Sequence, residues 1–458
     1  GLGGSGVMEK RLTAGLLIEK LRGRGLVAIM ARGASGTFVV NVLGAGIAFG
    51  SQVALARLMS PSHYGAYILV ISWITVLQFV AVLGLDKTML RFLAVYRTRT
   101  QWDLFRGLLR GGYALTLLAS LAVGGVVALA AWLLRAHMDA ETMATFLWGA
   151  AVLPFLALSI LRQASLQSLR HVVVAQMPEL LVRPVLVAGM VFLVYRYVGQ
   201  AVPGHTAMML NFVGTQITYL MGGLLLSYYL PAESAGRTRT YHTREWMAMA
   251  WPLMLVAGMH ILTKKTDILM LGMFAGKTAA GIYGPATRLT DLITFGILAV
   301  MSIASPLIAE AHARQKPGEL QRILFLASWG IVAFCVPIVA GIVVFGKFLL
   351  GIFGPEYVAG YGPLTVLMAG QVVNALTGPC VAALTMTGHQ NVTAKILGCV
   401  VVVNIVLNAV LIPRFGLMGA AAATSISIAL NKTFEMVYVW RLLRVNPTIF
   451  MSYRKVLS

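Results

Sequence analysis

The sequence carries very little charge for its length. Only 11% of the 458 residues are Asp, Glu, Lys or Arg, whereas 59% are hydrophobic. A soluble domain has about 25% charged residues, so this composition excludes a water-soluble globular protein. The mean hydropathy of +0.83 indicates an integral membrane protein instead.

Cysteines and catalytic motifs are also scarce. Cys335, Cys380 and Cys399 each stand alone in apolar sequence, without the spacing of a metal site or a disulfide framework. The sequence has no HExxH, GxSxG or Walker motif, and the loops between apolar segments are too short for a catalytic domain. We therefore expect no catalytic residues, no metal site and no cofactor, and no direct use of ATP.

Long apolar segments make up most of the chain. About 12 of them are long enough to cross a membrane as helices. The sequence therefore predicts an all-α integral membrane fold. The predicted spans are approximately residues 34–57, 66–90, 109–134, 144–168, 172–197, 205–229, 247–275, 279–311, 322–347, 361–386, 391–412 and 417–440.

The basic residues are distributed unevenly, and they give a net charge of +21. If the N-terminus is cytoplasmic, 24 of the 36 basic residues, Arg162 among them, fall on the cytoplasmic side and six fall in outer loops. The positive-inside rule then places both termini in the cytoplasm and explains the basicity without nucleic acid. The remaining six lie within the predicted spans: Lys87, Arg183, Lys264, Lys265, Arg288 and Lys432.

The two halves of the chain carry a similar short motif. Gly65-x-Tyr67 and Gly281-x-Tyr283 superpose at an offset of 216 residues, each between two apolar segments. We expect each glycine to permit a tight turn between helices. The offset favours two pseudo-symmetric six-helix bundles related by an axis along the membrane normal, although two unrelated turns are an alternative.

A polar segment separates the two halves, and the chain divides accordingly. The predicted parts are a cytoplasmic basic segment (1–33), an N-terminal bundle (34–230), a cytoplasmic linker (231–246), a C-terminal bundle (247–444) and a cytoplasmic tail (445–458). In the first segment, leucines alternate with basic residues, which fits an amphipathic helix on the inner leaflet or a solvated tail.

Three sequence blocks resemble the polysaccharide-export flippases, a family of the multidrug/oligosaccharidyl-lipid/polysaccharide (MOP) exporter superfamily. The blocks are Ala54–Gly65, Asp267–Gly272 followed by Gly281–Leu289, and Asn408–Thr424. The resemblance covers roughly residues 34–444. It implies a V-shaped, MATE-like pair of six-helix bundles that flips undecaprenyl-pyrophosphate-linked sugars to the outer leaflet of the bacterial inner membrane by alternating access.

The partners implied by this resemblance are a polyprenyl-pyrophosphate-linked glycan, membrane lipids, and a polysaccharide polymerase or glycosyltransferases of the same pathway. Three other functions stay open. A cation-coupled multidrug antiporter is disfavoured because residues 33–60 contain no Asp or Glu. A lipid II flippase is disfavoured because that branch resembles a 14-helix plan, whereas about 12 spans are predicted here. A membrane sugar polymerase or ligase is disfavoured by the short outer loops.

The basic residues within the spans are the candidate substrate-binding groups, since a cation at bilayer depth marks a functional site by default. Lys264 is predicted near the membrane midplane, and Lys265 points about 100° away from it on the same helix. Asp267 could form a local ion pair with Lys264. His260 lies one turn before Lys264, either as a neutral side chain satisfied by a neighbour or as a proton sensor.

Two further cations have an acidic residue at helical spacing. Arg288 and Asp291 are three residues apart, which permits either an ion pair or an arginine that grips a pyrophosphate. Glu179 precedes Arg183 by four residues, the favourable order for a helical ion pair. Both arginines are candidate substrate contacts, with the two acids as ion-pair or coupling residues.

Two candidates and one further ion pair remain. Lys87 and Arg91 are one turn apart near the predicted cytoplasmic end of the second span. They could receive the pyrophosphate at the inner mouth or extend to the lipid headgroups. Lys432 and Glu435 are interpreted as a paired interior charge.

Overall fold

Helices account for nearly all of the chain that the computed structural model describes, which is residues 26–234, 236 and 238–446. These residues contain no β-strand. The helices are α1 (Leu26–Leu58), α2 (Pro61–Val82), α3 (Leu85–Thr98), α4 (Trp102–Leu133), α5 (Ala140–Ser168), α6 (Val172–Val198), α7 (Gly204–Tyr229), α8 (Thr243–Phe274), α9 (Lys277–Ala313), α10 (Pro317–Gly351), α11 (Tyr361–Leu376), α12 (Cys380–Met386) and α13 (Gln390–Leu443).

The helices agree with the predicted all-α membrane fold. Ten helices in the described part of the chain are long and apolar enough to cross a membrane. Helices α11 and α12, which are bent by 44° relative to each other, together make an eleventh. Helix α13 has 54 residues and non-helical backbone angles at Gly416. At 1.5 Å per residue it would be about 81 Å long, far more than one crossing of a ~30 Å core. We therefore count α13 as two crossings, which gives 12.

Local sequence signals place several of the helix ends. Ser60 caps α2 by accepting a hydrogen bond from the His63 backbone N–H at 3.3 Å, and Pro61 occupies the first turn. Helix α2 stops at Leu83 and Gly84, which have φ angles of 56° and 72°. The predicted span 66–90 is therefore too long. It crosses a left-handed break that apolar sequence alone does not reveal, and α3 begins beyond that break.

The helices pack in two groups, α1–α7 (the N-terminal half) and α8–α13 (the C-terminal half). In the N-terminal half, α5 packs against α2, α4 and α7. In the C-terminal half, α13 packs against α8 and α11, and α9 packs against α10. Helix α2 also packs along α8 and α9, so it forms much of the contact between the halves.

The repeated glycines meet at one end of the molecule, which we call the Gly65 end. A Cβ atom on Gly65 would lie 1.9 Å from the Lys277 carbonyl oxygen, and one on Gly281 would lie 2.3 Å from the Pro61 carbonyl oxygen. Both glycines lie inside helices, so the prediction that they form tight turns is wrong. Their role is to let α2 and α9 approach closely, which a side chain would prevent.

Contacts at the opposite end, the Trp246 end, join the start of α8 to α3 and α4. The Trp246 indole N–H donates to the Tyr96 hydroxyl at 3.0 Å. The Thr238 hydroxyl donates to the Asp103 carboxylate at 2.9 Å, and the Thr240 backbone N–H donates to the Asp103 carbonyl at 3.2 Å. The segment predicted to be a linker therefore lies against α4.

The predicted amphipathic N-terminal segment lies largely outside the described residues, which begin at 26, and most of the predicted C-terminal tail, from 447 onward, lies outside them as well.

Candidate functional site

A cavity of about 510 Å³ lies in the C-terminal half, bounded on one side by α2. Residues from α2, α8, α9, α11, α12 and both parts of α13 line it. It brings together six of the ten residues predicted for the site, and it adds the predicted ion pair of Lys432 and Glu435. The charged and titratable lining residues are His260, Lys264, Lys265, Asp267, Arg288, Asp291, Lys432 and Glu435.

Two of the lysines in this cavity have no acidic partner. Within the described residues, neither Lys264 nor Lys265 makes an ion pair within 4.0 Å. The predicted local pair between Lys264 and Asp267 does not form. Asp267 is buried, and its Oδ1 accepts a hydrogen bond from the Ile268 backbone N–H at 2.8 Å. Its carboxylate forms no ion pair with either lysine, and the three groups together carry a formal charge of +1.

The other two basic residues of the cavity are paired. Arg288 Nη1 lies 3.5 Å from Asp291 Oδ2, at the long end of hydrogen-bond distance, and both side chains are partly exposed. Lys432 Nζ lies 2.8 Å from Glu435 Oε2, and both side chains are nearly buried. Four basic groups thus face three acidic groups, which leaves a formal charge of +1 before His260 is counted.

Uncharged polar groups complete the wall of the cavity. Gln371 and Asn374 lie on α11, while Asn404 and Asn431 lie on the two parts of α13. Asn404 Nδ2 donates to Ser427 Oγ at 3.0 Å, which links those two parts. Sequence reasoning missed these amides. The available signal was the presence of Asn and Gln inside apolar spans, where an unpaired polar group is costly.

Arg183 and Glu179 lie outside this cavity, in the N-terminal half. Glu179 Oε2 lies 3.4 Å from Arg183 Nη1, as its spacing predicts. The same carboxylate also lies 3.2 Å from Nη2 of Arg162. The positive-inside count places Arg162 with the cytoplasmic segments rather than within a span. This placement is wrong, because its side chain is only 1% exposed and lies within the helical bundle.

Lys87 and Arg91 also lie apart from the cavity, on α3 near the Trp246 end. The Lys87 ammonium lies 3.7 Å from Asp86 and its side chain is 60% exposed. Arg91 Nη1 lies 3.8 Å from the Met249 sulfur. Lys87 and Arg91 stay candidates for a first contact with the pyrophosphate at the Trp246 end.

An ionic cluster joins the two halves at the Gly65 end. Lys277 Nζ on α9 lies 2.6 Å from Asp139 Oδ2 and 3.0 Å from Glu141 Oε2, both on the N-terminal side. Glu141 Oε1 lies 2.6 Å from His63 Nδ1 and accepts from the Gly204 backbone N–H at 2.6 Å. In the described part of the chain, the Lys277 pairs are the only ion pairs between the halves.

The cavity has the chemistry of an anion site. Uncompensated ammonium groups in a low-dielectric region attract an anion strongly, and Arg288 can present two parallel N–H groups to phosphate oxygens. The amide groups can exchange hydrogen bonds with hydroxyl groups. The cluster of lysines, arginine and amides therefore fits a ligand that combines a phosphate group with a polar, hydroxylated part.

Two families of known proteins match the sequence. Residues 30–312, more than half of the chain, match the family described as "Polysaccharide biosynthesis protein". Residues 252–410 match the MatE family, so the second match covers much of the C-terminal half.

Individual proteins are similar to this chain either over a shorter segment or at a lower sequence identity. The "Probable low-salt glycan biosynthesis flippase Agl15" of Haloferax volcanii is 28% identical over 179 residues, 38% of this chain and 37% of that protein. The alignment thus spans a little over a third of this relative. An inward-facing multidrug resistance MATE family transporter of the MOP superfamily has a TM-score of 0.67 at 12% identity, over 87% of this chain and 94% of that one. The lipid II flippase MurJ, in an inward closed conformation, has a TM-score of 0.65 at 12% identity, over 92% and 89% of the two chains.

Proposed function

Because the chain belongs to the family of polysaccharide biosynthesis proteins, we propose that it is a flippase rather than an enzyme. Its substrate is an undecaprenyl-pyrophosphate-linked oligosaccharide, which it moves from the inner to the outer leaflet of a bacterial inner membrane. The similarity to a glycan biosynthesis flippase supports this function. The all-helical MOP-superfamily fold supports transport by alternating access.

One observation carries the proposal: Lys264 and Lys265 line a polar cavity without an acidic partner among the described residues. A pyrophosphate that leaves water needs compensating charge, and these ammonium groups supply it. Arg288 adds a planar donor group beside them. The amides of α11 and α13 contact the sugar hydroxyls, while the polyprenyl tail stays in the surrounding lipid.

The charge distribution gives the proposed orientation in the membrane. The positive-inside rule places both termini and the Trp246 end in the cytoplasm and the Gly65 end outside. In the structure the halves are joined at the Gly65 end by Gly65, Gly281 and Lys277. Release to the outer leaflet then requires these contacts to separate as the halves rock. Glycosyltransferases supply the lipid-linked glycan on the inner side, and a polysaccharide polymerase uses it on the outer side.

The charge of the cavity argues against the export of cationic drugs. Four basic groups face three acidic groups, so a cationic ligand meets net repulsion, whereas a pyrophosphate meets net attraction. A site built for lipophilic cations would carry the opposite excess.

The test uses purified protein in liposomes that contain a polyprenyl-pyrophosphate-linked oligosaccharide with a fluorescent sugar. Flipping is measured as protection of the sugar from a membrane-impermeant quencher. We expect flipping by the wild-type protein and its loss in Lys264→Ala/Lys265→Ala. Lys347→Ala is the control, because Lys347 lies over the Tyr361 ring and does not line the cavity. Absence of flipping by the wild-type protein, or equal flipping by the double variant, contradicts the proposal.

A further inference from the structure

Arg162 is a buried cation whose bonding is incomplete. Its side chain is 1% exposed, and Nη2 donates to Glu179 Oε1 at 3.2 Å. Its Nε and Nη1 atoms are buried and make no hydrogen bond to the described residues. A buried guanidinium with unused donors is unusual, because each unsatisfied charged donor raises the free energy of the fold.

A single carboxylate serves two arginines here. Glu179 bonds Arg162 through one oxygen and lies 3.4 Å from Arg183 through the other. It sits on a π-helical turn, Pro178–Val182, within α6. Such turns occur often at functional sites because they change the helical register locally. The group of Arg162, Glu179 and Arg183 therefore has one positive charge in excess.

Helix α7 is shaped around the buried guanidinium. A Cβ atom on Gly222 would lie 1.0 Å from Nη1 of Arg162, whereas one on Gly223 would meet nothing within 4 Å. Only a glycine fits at position 222 with Arg162 in this place. The buried cation is therefore accommodated by the backbone of a neighbouring helix.

Arg183 differs from Arg162 in its position. Its side chain is 29% exposed, whereas that of Arg162 is 1% exposed. Of the two arginines that contact Glu179, Arg183 is therefore the one that a ligand can reach.

We propose that Arg183 is the contact of the N-terminal half for the pyrophosphate, and that Glu179 moves from Arg183 to Arg162 when the substrate binds. This inference rests on the proposed function. Glu179 Oε1 already bonds Nη2 of Arg162, and the unused Nε beside it can take the released second oxygen in a two-bond geometry. The exchange keeps Glu179 neutralised while Arg183 is freed for the substrate, so an anion is held between the halves without leaving a carboxylate unpaired.

The test measures binding of inorganic pyrophosphate to the purified full-length protein in detergent by calorimetry. For Arg183→Gln we expect binding to weaken roughly tenfold, the effect of losing one hydrogen bond to a charged group. For Glu179→Gln we expect binding at least as tight as in the wild type, since the competing carboxylate is gone. A role limited to holding the helices together predicts weaker binding in both variants, and that result overturns the proposal.

Two further variants separate this inference from the proposed function. Lys264→Ala/Lys265→Ala reports on the cavity of the C-terminal half in the same assay. If it loses binding while Arg183→Gln binds as the wild type does, the proposed function stands and the role of Arg183 is wrong. If the wild-type protein binds no pyrophosphate, both fail.

Unfolding temperatures of all variants show whether each change acts on the fold. Arg183→Lys keeps the charge, and its affinity for pyrophosphate is expected to lie between those of the wild type and Arg183→Gln.

Discussion

Individual side chains in the cavity have different partners, and these differences determine how each responds to mutation. Arg288 lies 3.5 Å from Asp291, whereas Lys264 has no acidic partner among the described residues. A charge with an acidic partner can be removed together with that partner. A charge without one is left to bind a ligand, so its loss has no compensating change.

The first prediction is a pair of double-mutant cycles on flipping rate. Lys264→Ala should lower the rate roughly 10- to 100-fold, because a hydrogen bond to a charged group contributes roughly 1.5–3 kcal/mol. Adding Asp267→Ala should restore nothing, since Asp267 bonds its own backbone. In Arg288→Ala, adding Asp291→Ala should restore only part of the rate, because the double variant removes the unpaired acid but not the loss of the arginine that contacts the pyrophosphate. Recovery in the Lys264 cycle would show that a pair forms there after all.

The second prediction concerns two adjacent glycines of α7. Gly222→Ala should displace Arg162 and lower the free energy of unfolding by about 3 kcal/mol, the scale for breaking a buried ion pair. Gly223→Ala faces open space and should change it by no more than about 1 kcal/mol, with stabilisation the expected sign. The measurement is unfolding of the detergent-solubilised protein. Equal effects would contradict the assignment of Gly222 as the space for the guanidinium.

The halves contact each other at the Gly65 end through a few contacts, as they do at the Trp246 end. Close approach of α2 and α9 supplies the packing, and Lys277 supplies the ion pairs. Because these contacts must separate in an outward-open state, weakening them should shift the population toward that state.

The third prediction is that Lys277→Gln increases the outward-open population. Spin labels at Ser62 and Thr278 lie on opposite halves at this end, and their distance distribution should gain a longer component. Lys347→Gln is the matched control, because Lys347 contacts Tyr361 within its own half. A distribution unchanged by Lys277→Gln would show that the ion pairs do not hold the halves together.

The pH dependence of this contact is the fourth prediction. Partial burial disfavours ionised Asp139, but hydrogen bonds from Lys277 and Thr142 outweigh this and lower the pKa of Asp139 below 3.8. A lowered pKa contributes stability that is complete above the unfolded value of about 3.9 and is lost as pH falls below it. The label distances should therefore stay constant between about pH 7 and 5 and lengthen only below about pH 4. A transition near pH 6 would identify a different titrating group.

The whole molecule should sit in the membrane with the Gly65 end outside. The fifth prediction is that a cysteine at Ser62 or Thr278 reacts with a membrane-impermeant maleimide added to intact cells. A cysteine at Thr238, beside Asp103, should react only after the cells are permeabilised. The reverse labelling pattern would invert the topology and with it the proposed direction of transport.

The sequence alone determined the features that depend on neighbouring residues. Apolar length located the membrane-spanning helices, and helical spacing identified the pairs Glu179–Arg183, Arg288–Asp291 and Lys432–Glu435. These properties are local, because hydropathy and the 3.6-residue period act within one helix.

The tertiary structure decided which of these helices share a site. Lys432 and Glu435 join Lys264 in one cavity although more than 160 residues of chain separate them. Arg162 is buried because α7 leaves space at Gly222, and Gly65 meets Gly281 because α2 crosses α9. These contacts depend on the rotation, tilt and close approach of the helices. Packing between distant segments sets this geometry, so it cannot be predicted from any single stretch of sequence.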